Sequence, residues 1–378
     1  MSHIEVFIAL LLLFMAVPDF CGKLSRPALA FPVFVIVGMG LRPVVGREVF
    51  DLLNAAGEVG FVMLLFEVGL EIALPPLREL KRPFRYVLFW ALAQYPFILA
   101  LASFLGLRPA EGMLAAAALT GCSVGMAYPA WKYHPGLKGD TRIFALRIMV
   151  LLEAVAVIAF ATESAALKQG PLWMIILKLL GAVLVILLVG YFARHFTRLF
   201  QMLLESTTHW RTHLVILVVL VVCALGERLG LAAPKTAFFM GLFMSRAEHD
   251  GKGLEEFTAP VSRRFLIPLF FVSLGMSFPT SLLLSWTAVF AWGAAGVILA
   301  VRQVLHRRWL RFGSPDSFLL LCPNLPIVAL GAVTLAQQHR ETAAGWVLLT
   351  GLFLSIGAII LLPRTKENPA GPTPAETA

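Results

Sequence analysis

The chain has 378 residues, of which 59% are hydrophobic and 14% charged, with a formal net charge of +9 and a mean hydropathy of +0.84. That leaves too few polar groups to coat a water-soluble globule, so the composition excludes a soluble enzyme or binding module and fits a bilayer. The positive charge does not call for nucleic acid, because basic excess in so apolar a chain marks cytoplasmic loops.

Apolar runs of about 17 to 25 residues, the length an α-helix needs to cross about 30 Å of hydrocarbon, recur from end to end. Thirteen spans are predicted, at 5–22, 27–43, 55–74, 84–106, 110–131, 143–166, 171–193, 212–227, 230–245, 265–284, 286–306, 316–338 and 343–363. The ten-residue alternation of a β-barrel is missing. The first run carries no basic leader and no small-residue cleavage site, so it is read as a span and not a signal peptide. Connections between spans are short, which makes 1–363 one transmembrane domain and 364–378, rich in Pro and polar residues, a disordered cytoplasmic tail.

Lys and Arg divide unevenly between the two sets of loops. Six fall at the N-terminus and after even-numbered spans, 22 after odd-numbered spans and at the C-terminus, with Arg302 counted at the end of span eleven. By the positive-inside rule the N-terminus lies outside and the C-terminus in the cytoplasm. Three basic residues, Arg147, Lys178 and Lys235, lie within spans.

The polar residues inside spans carry the functional reading. Span three holds Glu67 and Glu71, four residues apart on one helical face, and Glu67 is a candidate second proton site. Span five, ALTGCSVGMAYPAW, is interrupted around Thr120, Cys122 and Ser123, with Pro129 expected to end the helix. Span six places Glu153 near the midplane, about 16 Å deep at 1.5 Å per residue, with Arg147 about 8 Å deep. An ionisable group at that depth is a functional-site hypothesis, since holding it there costs at least about 3 kcal/mol. Span twelve, LCPNLPIVALGAV, is interrupted at Pro323, Asn324 and Pro326.

Spans three and ten, FEVGLEIALPPL and FVSLGMSFPTSL, share an aromatic stretch before Gly69 or Gly275 and a Pro after it, and spans five and twelve are both broken. Each pair is seven spans apart, an odd number, which predicts two halves of opposite orientation, an inverted repeat. Broken helices put half-helix ends, with their partial charges, at the midplane. Were the breaks at Ser123 and Asn324 to cross near Glu153, hydroxyl, amide and carbonyl oxygens would surround a carboxylate, a site for a hard cation or a proton and not for a phosphate. The four cysteines (Cys21, Cys122, Cys223 and Cys322) have no paired spacing and the histidines do not cluster, so no metal site and no cofactor are expected.

The segments LLFEVGLEI, ALTGCSVG, LRIMVLLEAVAV, RLGLAAPKTAFFMGLFMS and FLIPLFFVSLGMSF resemble, in order, the signature segments of the monovalent cation:proton antiporter superfamily. The resemblance is to the branch holding bacterial Na⁺/H⁺ antiporters and glutathione-gated potassium efflux proteins, and it runs from about Pro27 to Pro363. It implies an all-α integral membrane protein with crossed discontinuous helices, a six-helix core that moves past a scaffold, and a homodimer in the bacterial inner membrane. The implied function is exchange of Na⁺ or K⁺ for protons, not enzymatic catalysis. The shared cation and proton site falls on Glu153, and Ser123, Cys122, Thr120 and Asn324 are its candidate neighbours. Arg302, Lys235 and Arg147 are candidate basic partners. Arg302 and Arg147 have a plainer reading, in which the side chain reaches to the cytoplasmic surface. Leu152 occupies the position before the acid, where the family commonly has Asp, Asn or Gln. That departure leaves room for a proton-coupled organic solute transporter on the same scaffold, or a non-transporting sensor or assembly subunit.

Overall fold

The structure, a computed structural model, describes residues 3–71, 81–167, 211–228, 233–244, 248–249 and 252–363. The predicted span 171–193 and the tail 364–378 lie outside the described residues. Each of the other twelve spans contains a described helix, in the sequence α1 His3–Lys23, α2 Ala30–Leu41, α3 Arg47–Glu71, α4 Lys81–Phe104, α5 Pro109–Thr120, α6 Val124–Lys132, α7 Gly139–Leu167, α8 Arg211–Arg228, α9 Ala233–Met244, α10 Leu254–Val261, α11 Ile267–Met276, α12 Trp286–Arg308, α13 Leu325–Gln337 and α14 Glu341–Leu361. A two-residue antiparallel pairing, β1 Glu248–His249 with β2 Lys252–Gly253, is the sheet content of the described residues.

Among the described residues, nine helical stretches are long and apolar enough to cross a membrane. Two of the nine, Pro109–Tyr128 and Ser317–Gln337, are the predicted broken spans, and they are also the most enclosed by protein, at 83% and 89% buried. That burial is what tolerates the breaks, because backbone freed from helical bonding cannot face lipid.

The helices pack as two groups. In the first, α2 and α3 lie against α11, and α3 also lies against α9. Glycines bring these backbones together. A Cβ on Gly38 of α2 would sit 2.2 Å from the Val272 carbonyl oxygen of α11, and one on Gly275 of α11 would sit 2.1 Å from that of Val35. Gly69 of α3 and Gly241 of α9 make the same reciprocal contact, 2.2 Å from Phe238 O and 2.1 Å from Phe66 O. Small residues at such crossings are the usual means of close helix packing in a bilayer. Spans two and nine are seven apart, as are three and ten, so the contact of α2 with α11 maps onto that of α9 with α3 under the offset read from the sequence.

The second group contains α4 to α7 and α12 to α14, with α5 packed on α4, α7 and α13, and α14 packed on α12 and α13. Pro109 starts α5, where its missing N–H costs nothing. Glu111 then fixes that end of the helix, accepting the Arg108 N–H at 3.2 Å and pairing with Arg340 Nε at 3.1 Å. The start of α5 is thereby tied to the residue preceding α14.

Candidate functional site

The local sequence explains both breaks. After Thr120, Gly121 and Ser123 take extended backbone angles, and α6 restarts at Val124. Contrary to the expectation from Pro129, α6 continues through that residue to Lys132. Its restart at Val124 places Pro129 inside the short half-helix. In span twelve a 3₁₀ turn over Ser317–Leu321 stops before Cys322, Pro323 and Asn324, and Pro326 lies in the first turn of α13, where a proline is compatible with the helix.

Five carbonyls at the two breaks meet donors from across the crossing. The Ser123 N–H donates to Pro323 O at 2.7 Å, joining the two non-helical segments directly. The Cys122 thiol donates to Leu320 O at 3.2 Å. From the other chain segment, Asn324 Nδ2 donates to Ala118 O at 2.5 Å. Arg302 of α12 supplies the rest: its Nη2 donates to Leu119 O at 2.6 Å, its Nη1 to Leu321 O at 3.4 Å, and its Nε to Gln94 Oε1 at 2.6 Å. Gln94 is itself held by donating to Trp90 O at 2.7 Å. Arg302 is fully buried, so it does not reach to the surface as its plainer reading expected. It places a permanent positive charge at the C-terminal ends of α5 and the 3₁₀ turn, the negative poles of their dipoles.

The two half-helix N-termini carry the opposite pole. At the first, Glu153 is 0% exposed and its Oε2 accepts the Val124 N–H of α6 at 3.0 Å. At the second, the Asn324 N–H donates to Ser355 Oγ of α14 at 3.3 Å. Spans six and thirteen are again seven apart, the offset read from the sequence. The Asn324 amide group is buried, and with Nδ2 committed to Ala118 its Oδ1 has no hydrogen-bond partner among the described residues.

Gly121 is a point of close approach in this arrangement. A Cβ there would lie 2.6 Å from Asn324 Nδ2 and 2.8 Å from the Ala156 Cβ, one turn beyond Glu153. Gly121→Ala is therefore expected to force the crossing apart and to cost about 1–3 kcal/mol of stability, read as a lowered thermal midpoint of the purified protein in detergent. An unchanged midpoint would show that the crossing has slack.

Of the residues singled out in the sequence, the structure gathers Glu153, Ser123, Cys122, Asn324 and Arg302 at one crossing, with Cys122 in electrostatic reach of both Glu153 and Arg302. Thr120 closes α5 beside them, its hydroxyl donating to Ala116 O at 2.8 Å. Leu152 points into the apolar core, 1% exposed. Arg147 is half-buried on α7, six residues before the acid. Glu67 belongs to a different cluster: it is buried on α3, ion-paired with Arg263 Nε at 2.9 Å, and accepts the hydroxyls of Ser262 and Thr258. Lys235 falls in the first turn of α9, and its side chain lies outside the described residues. Among the described residues no group of three His, Cys, Asp or Glu is placed to hold a metal ion. The sequence reading passed over Gln94, Tyr95, Glu163 and Ser355; the first two form a polar pair amid the apolar residues of span four, which was the available signal.

Residues 8–365 match the family described as Sodium/hydrogen exchanger, transmembrane. The fold is similar to that of the sodium proton antiporter MjNhaP1 from Methanocaldococcus jannaschii, solved at pH 8, with a TM-score of 0.66 and 14% identity over 95% of each chain. No curated protein matches by sequence. The matched family covers nearly the whole chain, and its transmembrane character agrees with the helices and broken spans, so this multi-pass membrane protein is a member of the sodium/hydrogen exchanger family.

Proposed function

We propose that the protein exchanges a monovalent cation, Na⁺ or K⁺, for protons by alternating access, with Glu153 as the shared site. The observation that carries this reading is a fully buried carboxylate at the crossing of two broken helices. A carboxylate there binds either a proton or a hard cation, and binding one discourages the other, which is what couples the two fluxes. The N-terminal pole of α6 and its Val124 N–H hold the carboxylate in place while the cation is absent.

Leu152 contributes no ligand oxygen, and the structure supports a substitute. Asn324 Oδ1, which has no donor among the described residues, comes to the crossing from the second broken helix. An amide oxygen and a carboxylate, with backbone carbonyls nearby, suit a small cation. Arg302 is bonded on three sides and does not deprotonate, so its role is a fixed counter-charge. Lys235, a residue type that does titrate when buried, is the candidate moving partner.

In this reading α4 to α7 and α12 to α14 form the moving core, and the glycine-packed group of α2, α3, α9 and α11 belongs to the scaffold. The seven-span correspondences of the glycine contacts and of Glu153 with Ser355 support an inverted repeat. The N-terminus lies outside and the C-terminus inside the plasma membrane, from the loop charges, and the protein acts as a homodimer. The test is reconstitution into proteoliposomes with a pH gradient, adding Na⁺, K⁺ or Li⁺ in turn. Cation-dependent collapse of the gradient supports exchange and names the cation; no collapse with any of the three overturns it in favour of an organic solute or a non-transporting role.

A further inference from the structure

One carboxylate of the core has no part in the exchange just described. Glu163 lies on α7 ten residues beyond Glu153, about 15 Å further along the helix axis at 1.5 Å per residue. Its Oε1 accepts the Tyr95 hydroxyl of α4 at 3.3 Å. Its Oε2 is shut off from the surroundings and has no hydrogen-bond partner among the described residues. The same phenol neighbours the hydroxyl of Thr120, the last residue of α5 before the break, which itself donates to Ala116 O. Gly121, the next residue, packs on Ala156, one turn past Glu153 on α7. Polar groups thus run from Glu163 through Tyr95 and Thr120 to the crossing that holds Glu153.

A tyrosine bonded to a carboxylate can simply brace two helices. For that purpose a neutral acceptor would serve, and it would avoid the cost of keeping an ionisable group in a span. A carboxylate with one oxygen bonded and the other enclosed without a partner among the described residues is instead an incomplete coordination shell, since enclosed polar atoms are almost always satisfied. The chemistry that completes it is a cation or a proton.

We propose that Glu163, positioned by Tyr95, is a staging site for the transported cation, between Glu153 and the side of the membrane reached by the C-terminal end of α7. The proposal rests on the exchange reading above, and with the N-terminus outside that side is the outer one. A cation arriving from the outer solution meets Glu163 first and passes by the phenol and the Thr120 hydroxyl to Glu153. From the inner solution Glu153 is reached without it.

The experiment compares initial exchange rates in right-side-out and everted membrane vesicles holding the full-length protein, with Na⁺ or K⁺ titrated on the accessible face. Glu163→Gln is expected to raise the KM for the cation about fivefold from the outer face, the size of one lost charge contact. The KM from the inner face and the maximal rate are expected to stay as in the parent. Glu163→Asp, which keeps the charge, is expected to restore most of the outer-face affinity, and Tyr95→Phe to raise the outer-face KM by a smaller factor. Should Glu163→Gln fail to assemble, the Glu163→Asp and Tyr95→Phe pair carries the same sided comparison. An unchanged KM on both faces, or an equal rise on both, overturns the staging site. Loss of exchange in Glu153→Gln beside an unchanged Glu163→Gln overturns this proposal alone, whereas exchange that survives in Glu153→Gln overturns the central-carboxylate reading.

Discussion

Glu153→Gln is expected to abolish cation-dependent proton flux in proteoliposomes while leaving a folded, monodisperse protein. The substitution keeps the shape of the side chain, and the amide oxygen can still accept the Val124 N–H that now reaches Oε2 at 3.0 Å. What it removes is the negative charge and the capacity to exchange a proton. Taking one partner from a buried charge pair costs about 3–5 kcal/mol, and at about 1.4 kcal/mol per factor of ten that is at least a hundredfold in cation affinity. Stability is expected to hold or rise, because a neutral amide is easier to bury than a carboxylate at 0% exposure. Flux at the parent rate would sink the assignment. Flux lost together with a collapsed size-exclusion profile would show a structural role for Glu153, so both measurements belong to the test.

The sequence made some of this site legible and hid the rest for physical reasons. Glu153 stood out because a charge in an apolar run is rare. The breaks stood out because Thr120, Cys122 and Ser123, and Pro323, Asn324 and Pro326, interrupt otherwise apolar runs, and the structure breaks both helices there, with Pro326 falling in the first turn of the restarted one. Pro129 misled, since α6 runs on through it to Lys132 even though proline there has no N–H to give to the carbonyl four residues back. Arg302 was harder to place. Its position near the end of span eleven allowed a reach to the surface, and only the crossing of two helix C-termini beside it shows what an arginine is for at that depth. Gln94 is intelligible only as the third acceptor of that guanidinium, and the two lie 208 positions apart. Glu67 looked like a lone deep acid because its partner Arg263 is 196 positions away. Ser355 could not be picked out at all, because only the fold brings it to the Asn324 N–H, 31 positions away.

Arg302→Met is expected to be the most damaging single substitution to stability. Methionine fills a similar volume without any donor, so Leu119 O, Leu321 O and Gln94 Oε1 would all lose their bonds inside the protein. Each buried acceptor left unsatisfied costs about 1–3 kcal/mol, and the C-terminal poles of α5 and the 3₁₀ turn would face each other uncompensated. The combined loss, about 3–5 kcal/mol or more, approaches the whole stability of an ordinary domain at about 5–15 kcal/mol. It would appear as a sharply lowered thermal midpoint in detergent and a low yield. Arg302→Lys keeps the charge but cannot fork across three acceptors, so it falls between the parent and Arg302→Met. The double variant with Glu153→Gln separates two roles of the arginine. Cys122 lies in electrostatic reach of both charges, and if the guanidinium also offsets the Glu153 carboxylate, the double variant is more stable than the sum of the two single effects predicts. Strict additivity would mean that Arg302 serves the helix ends alone, and the cation site would then hold its carboxylate without help from that side of the crossing.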